Sequence, residues 1–224
     1  MAKRTKLKDR ILPLYTRGEN VFSMVANIVG ASFGLIALIV CIVLSVLHHS
    51  LASGVTSAIY GVMLMFFYIM SSVYHGLGES TGRKVMQVMS HCSLYCLLAG
   101  SYTPVLLVAV RPEHPYIAWI MFLLIWAVCI AGLVYSAIDH YKYEVFTMVS
   151  YFIAGWLIIL IIKPLYECMS LGGVILLFMG TICYTVGALF YIKGHTKNNM
   201  HSVYQILLLC GTIFQFAAIC GFVI

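Results

Sequence analysis

The chain has 224 residues, of which 62% are hydrophobic and only thirteen are Lys or Arg and seven Asp or Glu. A soluble domain carries about 25% charged residues, so twenty charged side chains cannot cover a water-facing surface for a chain of this size. This excludes a soluble enzyme, a nucleic-acid-binding module and a disordered chain, and the net charge of +6 is read as membrane orientation, because the cations sit in short clusters between apolar runs.

The first twenty residues form a basic segment with Lys3, Arg4, Lys6, Lys8, Arg10 and Arg17. The apolar run after it is too long for a signal-peptide core and has no small-residue cleavage site behind it, so it is read as a retained span. Crossing a hydrocarbon core about 30 Å thick takes about 20 apolar residues. Seven runs qualify: Val21–Leu47, Gly54–Tyr74, Val85–Val110, Tyr116–Ile138, Val145–Ile162, Val174–Ile192 and Met200–Ile224. They are continuous rather than alternating, which argues against a barrel. The expected fold is all-α, a seven-helix transmembrane domain over residues 21–224 behind the cytoplasmic segment 1–20.

Lys and Arg fix the expected orientation. With the N-terminus in the cytoplasm, that side also receives Arg83, Lys84, Lys142, Lys193 and Lys197, eleven cations in all, against Arg111 and Lys163 opposite. An odd number of spans then leaves Ile224 outside.

Gly30 and Gly34 form a GxxxG in the first run, which permits close helix approach. Pro104 lies inside the third run, where it removes a backbone donor and kinks a helix. Seven of the eight cysteines lie inside runs, and Cys168 has no loop partner, so no disulfide framework is expected. Cys92 and Cys96 share a helix face and are read as packing residues.

Polar residues inside a membrane are expensive and therefore informative. The second run ends at the cytoplasmic leaflet with Ser71-Ser72-Val73-Tyr74-His75, the third begins there with Ser90 and His91, and the seventh begins there with His201 and Gln205. Ser71 and His75 are four apart, as are His201 and Gln205, so each pair shares a face. Depth alone brings Ser71, His75, Ser90, His91, His201 and Gln205 toward one polar cavity. The histidines at 48, 49, 114, 140 and 195 fall in loops; His195 could reach the cluster only if its loop folded over it.

Together with Leu98-Ala99-Gly100-Ser101-Tyr102-Thr103-Pro104, Tyr151-Phe152-Ile153-Ala154-Gly155-Trp156 and Gly172-Gly173 followed by Tyr184, Gly187, Phe190 and Tyr191, the segment Ser71–His75 carries a resemblance. The chain resembles the hemolysin III family, the bacterial branch of the seven-span superfamily that includes the progestin and adipoQ receptors. The resemblance implies a Zn²⁺ near the cytoplasmic leaflet, held by a histidine closing S-x-x-x-H on span two and by H-x-x-x-H on span seven, with an Asp on span three. Carried over residue by residue, His75 and Ser71 match, and His201 matches the first span-seven histidine. Gln205 stands at the second, Ser90 stands where the Asp is expected before His91, and Ser23 and Asn27 replace the Asn and His of span one; Glu19 fits the acidic residue before it. The metal set is thus His75 and His201 with Gln205 in the third place, and zinc is expected to bind weakly or not at all. No other cofactor is expected. The expected role is a non-catalytic protein of a bacterial plasma membrane, with membrane lipids as partners, a small lipid-like ligand in the cavity, and a part in lipid homeostasis or sensing. The alternatives are a zinc-dependent hydrolase of lipid amides and a pore-forming cytolysin; no amphipathic pore-forming segment stands out for the last.

Overall fold

The computed structural model describes residues 12–13, 15–139, 142–194 and 199–224. The regular structure among the described residues is all helical, with no strand, and six helical segments are long and apolar enough to cross a membrane. The chain is a multi-pass integral membrane protein. Its helices are α1 (Arg17–Leu47), α2 (Leu51–Gly76), α3 (Thr81–Pro104), α4 (Pro115–Asp139), α5 (Glu144–Trp156), α6 (Ile162–Gly194) and α7 (Met200–Phe222).

The burial pattern is inverted relative to a soluble helix. The inward stripe of α1 is Glu19, Ser23, Asn27, Gly30, Gly34, Ala37, Cys41 and Ser45, all small or polar. Val25, Ile28, Ile36, Ile39 and Val43 of the same helix face outward. In lipid the apolar faces gain nothing by meeting each other, so small residues that permit close contact and polar residues that need partners go inside. At Gly30 a Cβ would run into the Tyr68 ring of α2, and at Gly34 it would press on Met65. The GxxxG is an α1–α2 contact.

The two prolines inside the helical runs, Pro104 and Pro164, each adjoin a change of helical pitch. After Pro104 the chain continues as a π-helix, Val105–Val110, with Arg111 N–H bonded five residues back to the Leu106 carbonyl at 2.9 Å. The ring of Pro164 falls four residues after Leu160, inside the 3₁₀ stretch Leu157–Ile161 that joins α5 to α6; the altered pitch accommodates the clash a proline makes with the carbonyl four residues back. The carbonyls loosened at that transition are taken by Tyr102, whose hydroxyl reaches Ala154 O at 3.0 Å and Gly155 O at 2.7 Å. Two turns earlier Tyr95 also reaches α5, at Thr147 O, 2.9 Å, and Ser150 Oγ, 2.7 Å. The pair fixes the register of α5 on α3.

The expected loop between the fifth and sixth runs is absent. Helix continues through Lys163 to Met169 and breaks only at Ser170, with φ 60° and ψ 165°. The break reverses the chain: Trp156 Nε1–H donates to Thr185 Oγ1 at 3.1 Å although they are 29 residues apart, a separation of about 43 Å along a straight helix. Residues 144–169 and 171–194 are therefore two antiparallel arms.

α3 is the most buried helix and packs between α2 and α4, while α1 lies against both α2 and α7. Near the centre, Thr212 of α7 receives Tyr68 of α2 at 2.7 Å and Tyr184 of α6 at 3.1 Å. Glu19 joins the start of α1 to the start of α7. Its carboxylate accepts Thr16 N–H and Oγ1–H, both at 2.9 Å, within the cap of α1, and Asn199 N–H at 2.7 Å at the start of α7.

Gly30→Ala is expected to push Tyr68 off Thr212 and to destabilise the bundle by about 1–3 kcal/mol, read as a lower Tm in detergent. Gly221, where a Cβ meets nothing, supplies the matched control, and its alanine variant is expected to stay within about 0.5 kcal/mol of the parent.

A polar cluster and an adjoining cavity

At the end of the bundle where α1 and α7 begin and α2 ends, four helices supply a buried polar cluster. Helical spacing puts Asn20, Ser23 and Asn27 of α1, Ser71 and His75 of α2, and His201 and Gln205 of α7 on inward faces, and Arg83 enters from the first turn of α3. His75 is 6% exposed, Arg83 7%, His201 2% and Gln205 3%, so these groups must satisfy one another.

Their order can be read from a backbone carbonyl. Ser23 O can only accept, and it takes Asn27 Nδ2–H at 2.7 Å. The same Asn27 amide donates to Gln205 Oε1 at 3.3 Å. Gln205 therefore turns its NH₂ toward the histidines, with Nε2 3.5 Å from His75 Nε2 and 3.4 Å from His201 Nε2. The two imidazole Nε2 atoms are 3.2 Å apart. On its other side His75 Nδ1 lies 3.3 Å from Asn20 Oδ1, which also accepts Arg83 Nη2–H at 2.7 Å. An oxygen facing both must be the acceptor, so His75 carries its proton on Nδ1 and offers a lone pair at Nε2.

Tyr15 closes the cluster from outside the helices, its ring stacked on His201 with centroids 4.2 Å apart. Burial, with Tyr74 and Tyr204 adding to it, holds its phenol above the ordinary tyrosine pKa, so it stays protonated. The Arg83 guanidinium lies 5.3 Å over the Tyr74 ring, a cation–π contact.

Of the six residues expected together, His75, His201 and Gln205 meet. Ser71 is buried one turn before His75. Ser90 is half-buried and joins none of the cluster's hydrogen bonds among the described residues; its carbonyl takes the Ser93 hydroxyl at 2.8 Å. His91 faces Tyr191, with Nε2 3.4 Å from that hydroxyl. His140, His195 and the cations Lys3 to Arg10 and Lys197 lie outside the described residues. Sequence reasoning missed Tyr15, Asn20 and Arg83 as members. The i, i+3, i+7 spacing of Asn20, Ser23 and Asn27 was the available signal.

His91 belongs instead to a cavity of about 150 Å³ between α3, α5, the second arm of α6 and α7. Its walls are mainly apolar, from Leu98, Val105, Phe152, Ile158, Leu177 and Leu208, with the His91–Tyr191 pair at one end. Tyr204 lines the cavity and also packs on His201 at 5.4 Å between centroids. Cavity and cluster share a wall.

The resemblance implies zinc, and the cluster tests it. Zinc takes imidazole, thiolate or carboxylate ligands, at least three from the protein. Here the third corner is an amide nitrogen with no lone pair to give, turned inward by Asn27. Among the described residues no group of three His, Cys, Asp or Glu comes together as a metal would require. The donor set does not fit the ion.

The family described as Haemolysin-III related matches residues 16–216. Hemolysin-3 from Bacillus cereus is 30% identical over 206 residues, 92% of each chain. A Hemolysin-3 homolog from Bacillus subtilis (strain 168) is 27% identical over 91% of this chain and 93% of its own. The monocyte to macrophage differentiation factor of Homo sapiens is 25% identical over 80% of this chain and 76% of its own. No solved structure matches at a significant level.

Asn20→Leu removes the acceptor shared by Arg83 and His75 and leaves a cation buried. The expected loss is about 1–3 kcal/mol or more, measured as a lower Tm, and it is expected to shrink when Arg83→Met is added, since the pair is coupled.

Proposed function

The chain belongs to the haemolysin-III related family, and from that premise we propose a seven-crossing protein of a bacterial plasma membrane that holds a lipid-like amphiphile in the bundle and does not catalyse its turnover. The observation that carries this reading is the cavity: about 150 Å³ between mainly apolar walls, with His91 and Tyr191 at one end to take a polar head. Ligand sites commonly have this composition, apolar lining with a few placed polar groups. The cluster beside it holds helix ends in place, and through Tyr204 and Tyr191 it stands next to whatever enters. That arrangement suits the lipid sensing or homeostasis proposed for the chain.

Seven crossings are supported by the reversal at Ser170, which divides the longest apolar helical segment into two arms. The uneven loop charge supports a cytoplasmic N-terminus.

One observation favours a second reading, a metal-dependent hydrolase of lipid amides. The three nitrogens of His75, His201 and Gln205 have separations of 3.2–3.5 Å, close to the ligand spacing of a tetrahedral metal. Product released from a lipid-amide panel and abolished by chelator would establish the hydrolase over the binding protein.

A photoreactive single-chain amphiphile is expected to label peptides of α5 and α6, and Leu98→Trp, which fills the cavity, is expected to cut labelling about tenfold, a loss of about 1.4 kcal/mol. Labelling undiminished in a folded variant counts against the cavity as the site. A reporter active only in the cytoplasm, fused after Ile224, is expected to be silent; strong activity there overturns the seven-crossing topology.

A further inference from the structure

The triangle formed by His75 Nε2, His201 Nε2 and Gln205 Nε2 has sides of 3.2, 3.4 and 3.5 Å. A tetrahedral zinc with Zn–N bonds of about 2.0–2.1 Å sets its ligands about 3.3–3.4 Å apart. The dimensions are those of a metal centre, and the chemistry is not. Gln205 presents an amide NH₂, and its orientation cannot be reversed locally. Turning it would face two NH₂ groups at 3.3 Å, and turning Asn27 as well would bring its oxygen against the Ser23 carbonyl at 2.7 Å. His75, protonated on Nδ1 by its place on Asn20, has its lone pair toward the centre, where the Gln205 and His201 N–H groups share it; the Gln205–His201 side of the triangle joins two donors and is a contact, not a hydrogen bond. The charge is also missing. Ser90 brings no carboxylate, and Glu19 is committed to the starts of α1 and α7.

We infer that Gln205 stands in for a metal ion: a neutral amide, oriented from α1, donates to the same His75 nitrogen that takes the His201 N–H, so the three groups hold metal-site spacing and join α1, α2 and α7 without a cation. Two neutral imidazoles and an amide need no counter-charge in a medium where an uncompensated dication is costly, so the exchange is self-consistent. The centre is latent, complete in size and one donor short. This inference rests on the cluster and not on the cavity, so its failure leaves the lipid reading standing.

The test uses the purified full chain in detergent, with metal content by mass spectrometry and Co²⁺ as a visible-absorption probe. The parent is expected to hold no stoichiometric zinc and to give no tetrahedral cobalt bands. Gln205→His is expected to hold one zinc per chain, removable by chelator, and to give those bands with cobalt. Gln205→Leu is expected to bind neither and to lower Tm, because Asn27 and His75 both lose a partner. Zinc at one per chain in the parent, resistant to mild chelation, overturns the inference. So does a folded Gln205→His protein that takes neither metal. Should that variant fail to fold, Gln205→Glu supplies a third donor and is decided by the same two readouts.

Discussion

Everything in this bundle follows from the absence of water to complete a hydrogen bond within the hydrocarbon. Helices satisfy their own backbones, but where the pitch tightens after α5 carbonyls are left over, and there a tyrosine hydroxyl comes to them. Tyr102 serves the 3₁₀ transition after α5. The side chains obey the same rule. Serines and threonines bond back to their own helices, as Thr103 does to Ala99 O and Thr181 to Leu177 O. Those that reach across, Tyr68 and Tyr184 to Thr212, tie helices together. Such bonds contribute only about 0.6 kcal/mol each in membrane proteins. Their number and the close approach allowed at Gly30 hold the fold, rather than any single contact.

The polar cluster shows what happens where several such residues share a depth. Each takes its orientation from a neighbour, back to one main-chain oxygen: Ser23 O fixes Asn27, Asn27 fixes Gln205, and Gln205 faces both histidines. A side-chain amide suits this task because it accepts at one end and donates at the other. Arg83, entering at the start of α3 where the helix dipole disfavours a cation, is tolerated because Asn20 accepts from it and the Tyr74 ring lies beneath it.

Depth was legible in the sequence and azimuth was not. Counting residues from the ends of apolar runs brought His75, His201 and Gln205 to one level, and i, i+4 spacing put the last two on one face. The same count placed Ser90 and His91 there, but the rotation of α3 is set by how Tyr95 and Tyr102 dock on α5, and it turns His91 to Tyr191 instead. Tyr15 and Arg83 lie outside the apolar runs, where hydropathy gives no depth. The arms on either side of Ser170 read as separate apolar runs, but the sequence suggests a loop between them, because hydropathy registers Lys163 as a boundary while helix formation does not. Ser170 carries the positive φ with glycines only at 172 and 173, so no local signal marked the break.

Glu19 also bears on how the chain comes together in time. Its carboxylate caps α1, made early, and receives the first N–H of the α7 turn, 180 residues later. At about 5–20 residues per second, the ribosome delivers that partner roughly ten to forty seconds after the glutamate itself. Until then one oxygen of a buried carboxylate lacks its donor, and α1 has an open flank. The ring of helices is thus shut by its last-made member, on a latch set in place by its first.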